Sequence, residues 1–225
     1  MVVVAVISIL ASLLMPTVLR TMRQSTAAHC KSNLNQLGHG LRLYATQFET
    51  SLPAFGYYTA GNSPPYRAPF WTECMAEFLY AGLERNERLD KAVRCPLYTK
   101  RTTNYARGYT CNYGNVFRYY CPGYNGRGPL HGNGSMLLTE IKRPSFVMLL
   151  MDGETGYCYT PIIWKRQIDR DGDGLIDSYS DKVPMYNGGA PARHDGACMA
   201  LFTDGHIKRV EFRRWLTDDA LWDPF

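Results

Sequence analysis

At 225 residues and 25.5 kDa, the chain has the size of one domain carrying an appendage. Its net charge of +5, from 25 Lys and Arg against 20 Asp and Glu, is mild and is not gathered into a block of like charges, which argues against a basic nucleic-acid-binding arm. Hydrophobic residues at 45% supply a core, and seven cysteines without a C-x-x-C pair argue against a zinc ribbon, a thioredoxin-like site or c-type haem attachment.

The opening MVVVAVISILASLLMPTVLR, residues 1–20, has no charge before Arg20. It lacks the basic start of a secretory signal and is longer than one. As a helix, its uncharged part spans about 28 Å at 1.5 Å per residue, close to the hydrocarbon thickness of a bilayer. Nothing later in the chain is apolar enough to cover it. Val4, Ile7, Leu10, Leu14, Pro16 and Leu19 are therefore the candidate assembly residues. Pro16 removes one backbone hydrogen bond, so a kink or a locally unwound segment is expected there.

No linker follows. RTMRQSTAAHCKSNLNQLGHGLRLYATQFET continues the helix towards Leu52 and Pro53, with Cys30, Leu34, Leu37, Leu41, Tyr44 and Phe48 recurring at steps of four and three along one stripe. That stripe is expected to pack on the domain that follows, while the first half protrudes. Gly38 and Gly40 mark a soft point or a close backbone approach.

From Pro53 to about Leu138 the chain is rich in Gly, Pro, Tyr and Asn, which predicts long loops with short strands. Its tyrosines are expected to pack under those loops or at subunit contacts rather than to stack on bases. WTECMAEFLYAGLERNERLD, 71–90, is the one predicted internal helix, and FVMLLMD, 146–152, reads as a buried central strand. ACMALFTDGHIKRVEF, 197–212, reads as a hairpin turning at Asp204 and Gly205, with type I′ geometry expected of an Asp-Gly pair. His194 is read as a structural residue fixing that hairpin. A catalytic or metal role for it with Asp204 and His206 would need a third ligand or a nucleophile from elsewhere.

The sharpest chemical motif is DRDGDGLID, 169–177. Asp169, Asp171 and Asp173 alternate before Gly174, and Asp177 follows, a pattern that builds the oxygen cage of a Ca²⁺ loop with the Leu175 carbonyl as a further ligand. The position of the bidentate glutamate of an EF-hand holds Ser180, with Asp181 next to it, so 169–181 is closer to a short extracellular calcium loop. A solvated acidic turn is the alternative reading.

The opening texture, with its proline, resembles the type IV pilins and the pseudopilins of type II secretion. Aligned on Pro16, the family's Phe-Thr-Leu-Ile-Glu start falls ahead of Met1. RHDGACMALFTDGHIKR, 193–209, is similar to the prepilin-like proteins with a C-terminal H-x9-D-G signature, abundant in planctomycetes, and is anchored here on His194, Asp204 and Gly205. CKSNLNQLGHGLRLYA, KAVRCP and RPSFVMLLMDGE resemble the same group.

The resemblance implies an α+β fold in which a long protruding N-terminal helix, residues 1–52, packs on an antiparallel β-sheet head with long loops, residues 53–225. It implies a structural, non-enzymatic subunit of an extracellular, pilus-like helical filament, with a minor pseudopilin of a secretion or DNA-uptake machine as the alternative. Its expected partners are other copies of itself, the inner membrane before assembly, and a prepilin peptidase with its assembly machinery; no nucleic acid is expected. A stabilising Ca²⁺ is implied as well, since major pseudopilins carry a calcium loop. So is a Cys30–Cys95 disulfide tying helix to head, with Cys111–Cys121 the next pair expected. An enzyme is disfavoured because G-x-S-x-G, H-E-x-x-H and a Gly-rich phosphate loop are all lacking.

Overall fold

The computed structural model describes residues 2–58, 66–67, 70–84, 87, 94–97, 108–113, 115–120, 131–132, 135–153, 157–158 and 193–225. Helix α1 runs Val2–Gln47, 46 residues, about 69 Å at 1.5 Å per residue. It is continuous through Pro16, so the locally unwound segment, one of the two forms expected there, is not present. Proline removes a single rung, the one to the Ser12 carbonyl, and the helix on either side keeps its own backbone bonds. The helix stops at Gln47, short of the expected Leu52, because Glu49 and Thr50 turn into the left-handed region at φ 51° and 67°.

The two halves of α1 have opposite surroundings. Cys30, Leu34, Leu37 and Leu41 are buried to within 1% of completely, whereas Val4, Ile7, Leu10 and Leu14 are 54–66% exposed. The expected stripe holds as far as Leu41. Tyr44 is half-buried, and Phe48 lies outside the helix, 45% exposed and packed on Tyr44.

The head is built on a five-stranded sheet in the order β7-β3-β6-β8-β9, where β3 is Tyr109–Asn112, β6 Met148–Asp152, β7 Tyr157–Cys158, β8 Ala197–Phe202 and β9 Ile207–Glu211. β3, β6, β8 and β9 pair antiparallel, and β7 joins β3 in parallel at one edge. Four two-residue strands, β1 Tyr57–Tyr58, β2 Tyr66–Arg67, β4 Tyr119–Tyr120 and β5 His131–Gly132, make a second small sheet. The predicted internal helix is α2, Trp71–Tyr80, shorter than its sequence pattern.

β6 reads as an unbroken apolar run because both its faces are covered. On one face Leu149 and Leu150 join Leu201 under the buried half of α1 and α2. On the other, Met148 and Met151 join Cys198, Ala200 and Phe202 under Trp215 of helix α3, Phe212–Thr217, and under Leu221 and Trp222. A register shift between Met148 and Leu150 puts two successive leucines on the α1 side. Buried Asn112 ties this second layer down, its Nδ2 donating to the carbonyls of Met148 and Trp222 at 3.1 and 3.0 Å.

The hairpin between β8 and β9 turns at Asp204 and Gly205, but not as type I′. Gly205 has φ 87°, whereas Asp204 does not enter the positive region. Gly205 N–H donates to Phe202 O at 2.8 Å and Phe202 N–H to His206 O at 2.9 Å, which is a type I turn followed by a left-handed glycine. Asp204 favours this form because its carboxylate accepts from the His206 backbone N–H at 3.1 Å and lies 2.6 Å from the ring Nδ1.

Candidate functional site

Four segments distant in sequence bring chemistry-bearing side chains to one buried point. Cys30 comes from the fully covered face of α1, Cys95 from the loop at 94–97, Asp152 from the last position of β6 and His194 from the turn ahead of β8. All four are buried, with exposures of 0, 0, 0 and 5%, and their ligand atoms lie within 4.8 Å of one another. Each stands at the head side of the place where α1 passes from protruding to covered.

Cys30 Sγ is the hub. It lies 3.4 Å from Cys95 Sγ, donates to Asp152 Oδ1 at 2.9 Å and is 3.1 Å from the Tyr109 hydroxyl. The Tyr109 O–H also donates to the Cys30 carbonyl at 3.3 Å. Asp152 is held from its other oxygen, since Oδ2 accepts the Met199 backbone N–H at 2.7 Å. His194 Nε2 is 3.2 Å from the same Oδ2, within ion-pair distance but without a hydrogen bond. Arg193 closes the turn by donating to the carbonyls of Gly108 and Gly153, both at 2.7 Å.

The electrostatics follow from crowding in a dry place. The contact with Cys95, burial and the Asp152 carboxylate push the Cys30 thiol far up, so it stays protonated. The bond from Cys30 pulls Cys95 down, against burial and helped by His194. Burial works to lower His194, but its contacts with Asp152 and Cys95 prevail and raise it to about 9. Burial lifts the Tyr109 phenol well above its ordinary range. A thiolate, an imidazole and a carboxylate together are the side chains of a nucleophile, base and orienter, here enclosed at 0–5% exposure. The arrangement is suited to holding something small or to holding the fold.

Several expected site residues are placed differently. Cys30 and Cys95 do meet, as two thiols 3.4 Å apart instead of the expected disulfide, whose sulfurs would be about 2.05 Å apart. Cys111 is buried in β3, and Cys121 lies outside the described residues. His194 stands at the opposite end of β8 from Asp204 and His206, so those three form no constellation. The His194 backbone does serve the hairpin, its N–H donating to Ala197 O at 2.8 Å and its carbonyl accepting from Arg209 at 3.1 Å. Its side chain serves the cluster instead. The calcium candidates Asp169, Asp171, Asp173, Leu175, Asp177 and Asp181 lie outside the described residues.

The second candidate feature is the uncovered half of α1. Twelve large apolar residues between Val3 and Met22 are exposed, and this helix is long and apolar enough to cross a membrane. No protein-family model, curated protein or solved structure matches the chain.

Proposed function

We propose that the chain is the structural subunit of a helical homopolymer, anchored in a membrane by the first half of α1 before assembly and packed through that half afterwards. One observation carries the reading: a single continuous helix has one face buried against the head from Cys30 to Leu41, whereas its large apolar residues from Val3 to Met22 are exposed. The bare part is apolar around its whole circumference, as a helix surrounded by lipid or by other helices is. Because the same helix continues into the core, force or position applied to the anchor passes to the head without a hinge. Moving a large apolar side chain out of water contributes about 1.5–3 kcal/mol, so half a dozen such residues offset an association cost of about 4–15 kcal/mol.

A one-sided anchor on every copy favours a heterologous, non-closing contact, which generates a filament rather than a ring. Ca²⁺ held at 169–181 belongs to this reading as a folding ligand of the head. The alternative, a minor subunit at the tip of such a polymer, uses the same contacts at low copy number. Deleting residues 1–19 tests the proposal. The shortened chain is expected to be a soluble monomer that neither sediments with membranes nor forms filaments, and filaments formed from it would overturn the proposal.

A further inference from the structure

We infer that Cys30, Cys95, Asp152 and His194 form a closed four-ligand site for a structural Zn²⁺ that clamps α1 to the head. The inference stands on the cluster's own geometry and does not depend on the filament reading. A zinc tetrahedron with bonds of about 2.3 Å to sulfur and about 2.0–2.2 Å to nitrogen and oxygen has edges of about 3.3–3.8 Å. Two edges are 3.4 Å between the two sulfurs and 2.9 Å from Cys30 Sγ to Asp152 Oδ1, His194 Nε2 lies 3.2 Å from the other oxygen of that carboxylate, and the four ligand atoms all lie within 4.8 Å of one another. A small outward movement of the side chains makes room for the ion.

Three features point to a ligand rather than to packing alone. His194 Nε2 is a fully enclosed ring nitrogen with no hydrogen bond among the described residues, within 4.8 Å of the other three ligand atoms, and buried polar atoms are seldom left so. Asp152 is anchored through Oδ2 by the Met199 N–H, which leaves Oδ1 facing the sulfurs as an oriented ligand atom. Tyr109 and Arg193 supply the outer layer. The phenol fixes the Cys30 carbonyl and contacts its sulfur, and the guanidinium lies where its charge acts on Cys95.

The donor set selects the metal. Two thiolates with an imidazole suit a borderline-soft ion such as Zn²⁺ and are foreign to Ca²⁺ and Mg²⁺, which take oxygen. Two thiolates and a carboxylate around Zn²⁺ leave one negative charge, which the neighbouring Arg193 offsets. On binding, each cysteine thiol still protonated and the His194 imidazolium release their protons to solvent, and no oxidation state changes. With four protein ligands and no access, the site is structural.

The test uses the full chain, purified in detergent under reducing conditions. Elemental analysis after gel filtration is expected to find one zinc per chain. Stripping the metal and adding Co²⁺ should give the intense visible bands of a tetrahedral thiolate site, at one equivalent. Cys95→Ser and His194→Gln should each abolish the stoichiometric zinc and the cobalt bands. Should either variant fail to fold, the cobalt titration of the unaltered chain decides alone. The inference is overturned if the reduced unaltered chain takes up neither metal, if Cys30 and Cys95 are recovered as a disulfide from chain kept under reducing conditions, or if the metal persists in folded variants lacking both Cys95 and His194.

Discussion

Cys30 on α1 donates its thiol to Asp152 Oδ1 at 2.9 Å, across a separation of 122 residues, while Oδ2 of the same carboxylate accepts the backbone N–H of Met199 on β8. One buried side chain thus joins the long helix, the central strand and its neighbour. Asp152→Ala should leave the Met199 N–H and the Cys30 thiol without their acceptor, costing about 3 kcal/mol. Urea unfolding of the chain lacking residues 1–19 measures it. A loss below about 0.5 kcal/mol would show that the carboxylate does not join these elements.

Gly38 is a point of contact rather than a soft point. A methyl group placed on it would lie 3.0 Å from Cδ1 of fully buried Leu201, so the helix approaches β8 through the missing side chain. In an open helix Gly→Ala stabilises by about 1 kcal/mol, but overpacking a filled core costs about 1–3 kcal/mol. Gly38→Ala is therefore expected to be net destabilising by about 1 kcal/mol. Gly82→Ala, where the added methyl meets nothing, should stay within about 0.5 kcal/mol of the parent. Thermal melts of the two variants side by side distinguish them.

Cys74 on α2 is partly buried, and burial with the nearby Glu77 carboxylate raises its thiol to about 11 from 9.0. A folded value above the unfolded one stabilises below the unfolded pKa, and that contribution is lost as pH rises through 11. At pH 8 the thiolate fraction is well below that of an ordinary thiol, so alkylation by iodoacetamide should be slower, by about tenfold after allowance for the greater nucleophilicity of a high-pKa thiolate, and should accelerate towards pH 11. Rates followed by peptide mass spectrometry check this. Labelling of Cys74 at pH 8 as fast as of a small-molecule thiol would contradict it.

The proposed Ca²⁺ at residues 169–181 rests on four aspartates within 169–177, like charges that a divalent cation would offset. Millimolar Ca²⁺ should raise the melting temperature of the chain relative to EGTA, by an amount corresponding to about 1 kcal/mol for a site of extracellular affinity. Asp171→Ala with Asp173→Ala should remove the response. Equal melting temperatures in Ca²⁺ and EGTA would make the segment a solvated turn.

The elements carrying a strong period were legible in the sequence. The Cys30-to-Leu41 stripe shows the three-and-four spacing of a helix face, while β6 and the β8–β9 hairpin were legible as short apolar runs bounded by turn residues. The turn type was not, because Asp-Gly suits both the I′ turn and the type I turn with a left-handed glycine, and the local Asp204 to His206 bond decides between them. The cluster was legible only in part. The sequence offers Cys30 and Cys95 as partners, but His194 belongs by position to the hairpin that follows it, and nothing local links it to Asp152. A signal was present in Asp152 itself: a carboxylate closing a buried apolar strand must find partners inside the fold.

The uncovered half of α1 offers the most direct test of the account. A photo-crosslinking residue at Leu10, 54% exposed, placed in the full chain in its native membrane, reports what lies against that face. A helical homopolymer should give a ladder of covalent multimers whose crosslinked peptides join residues 1–25 of one copy to the same region of another. Adducts to lipid alone, with no link between copies under any condition of assembly, would contradict it and leave α1 as a simple membrane anchor.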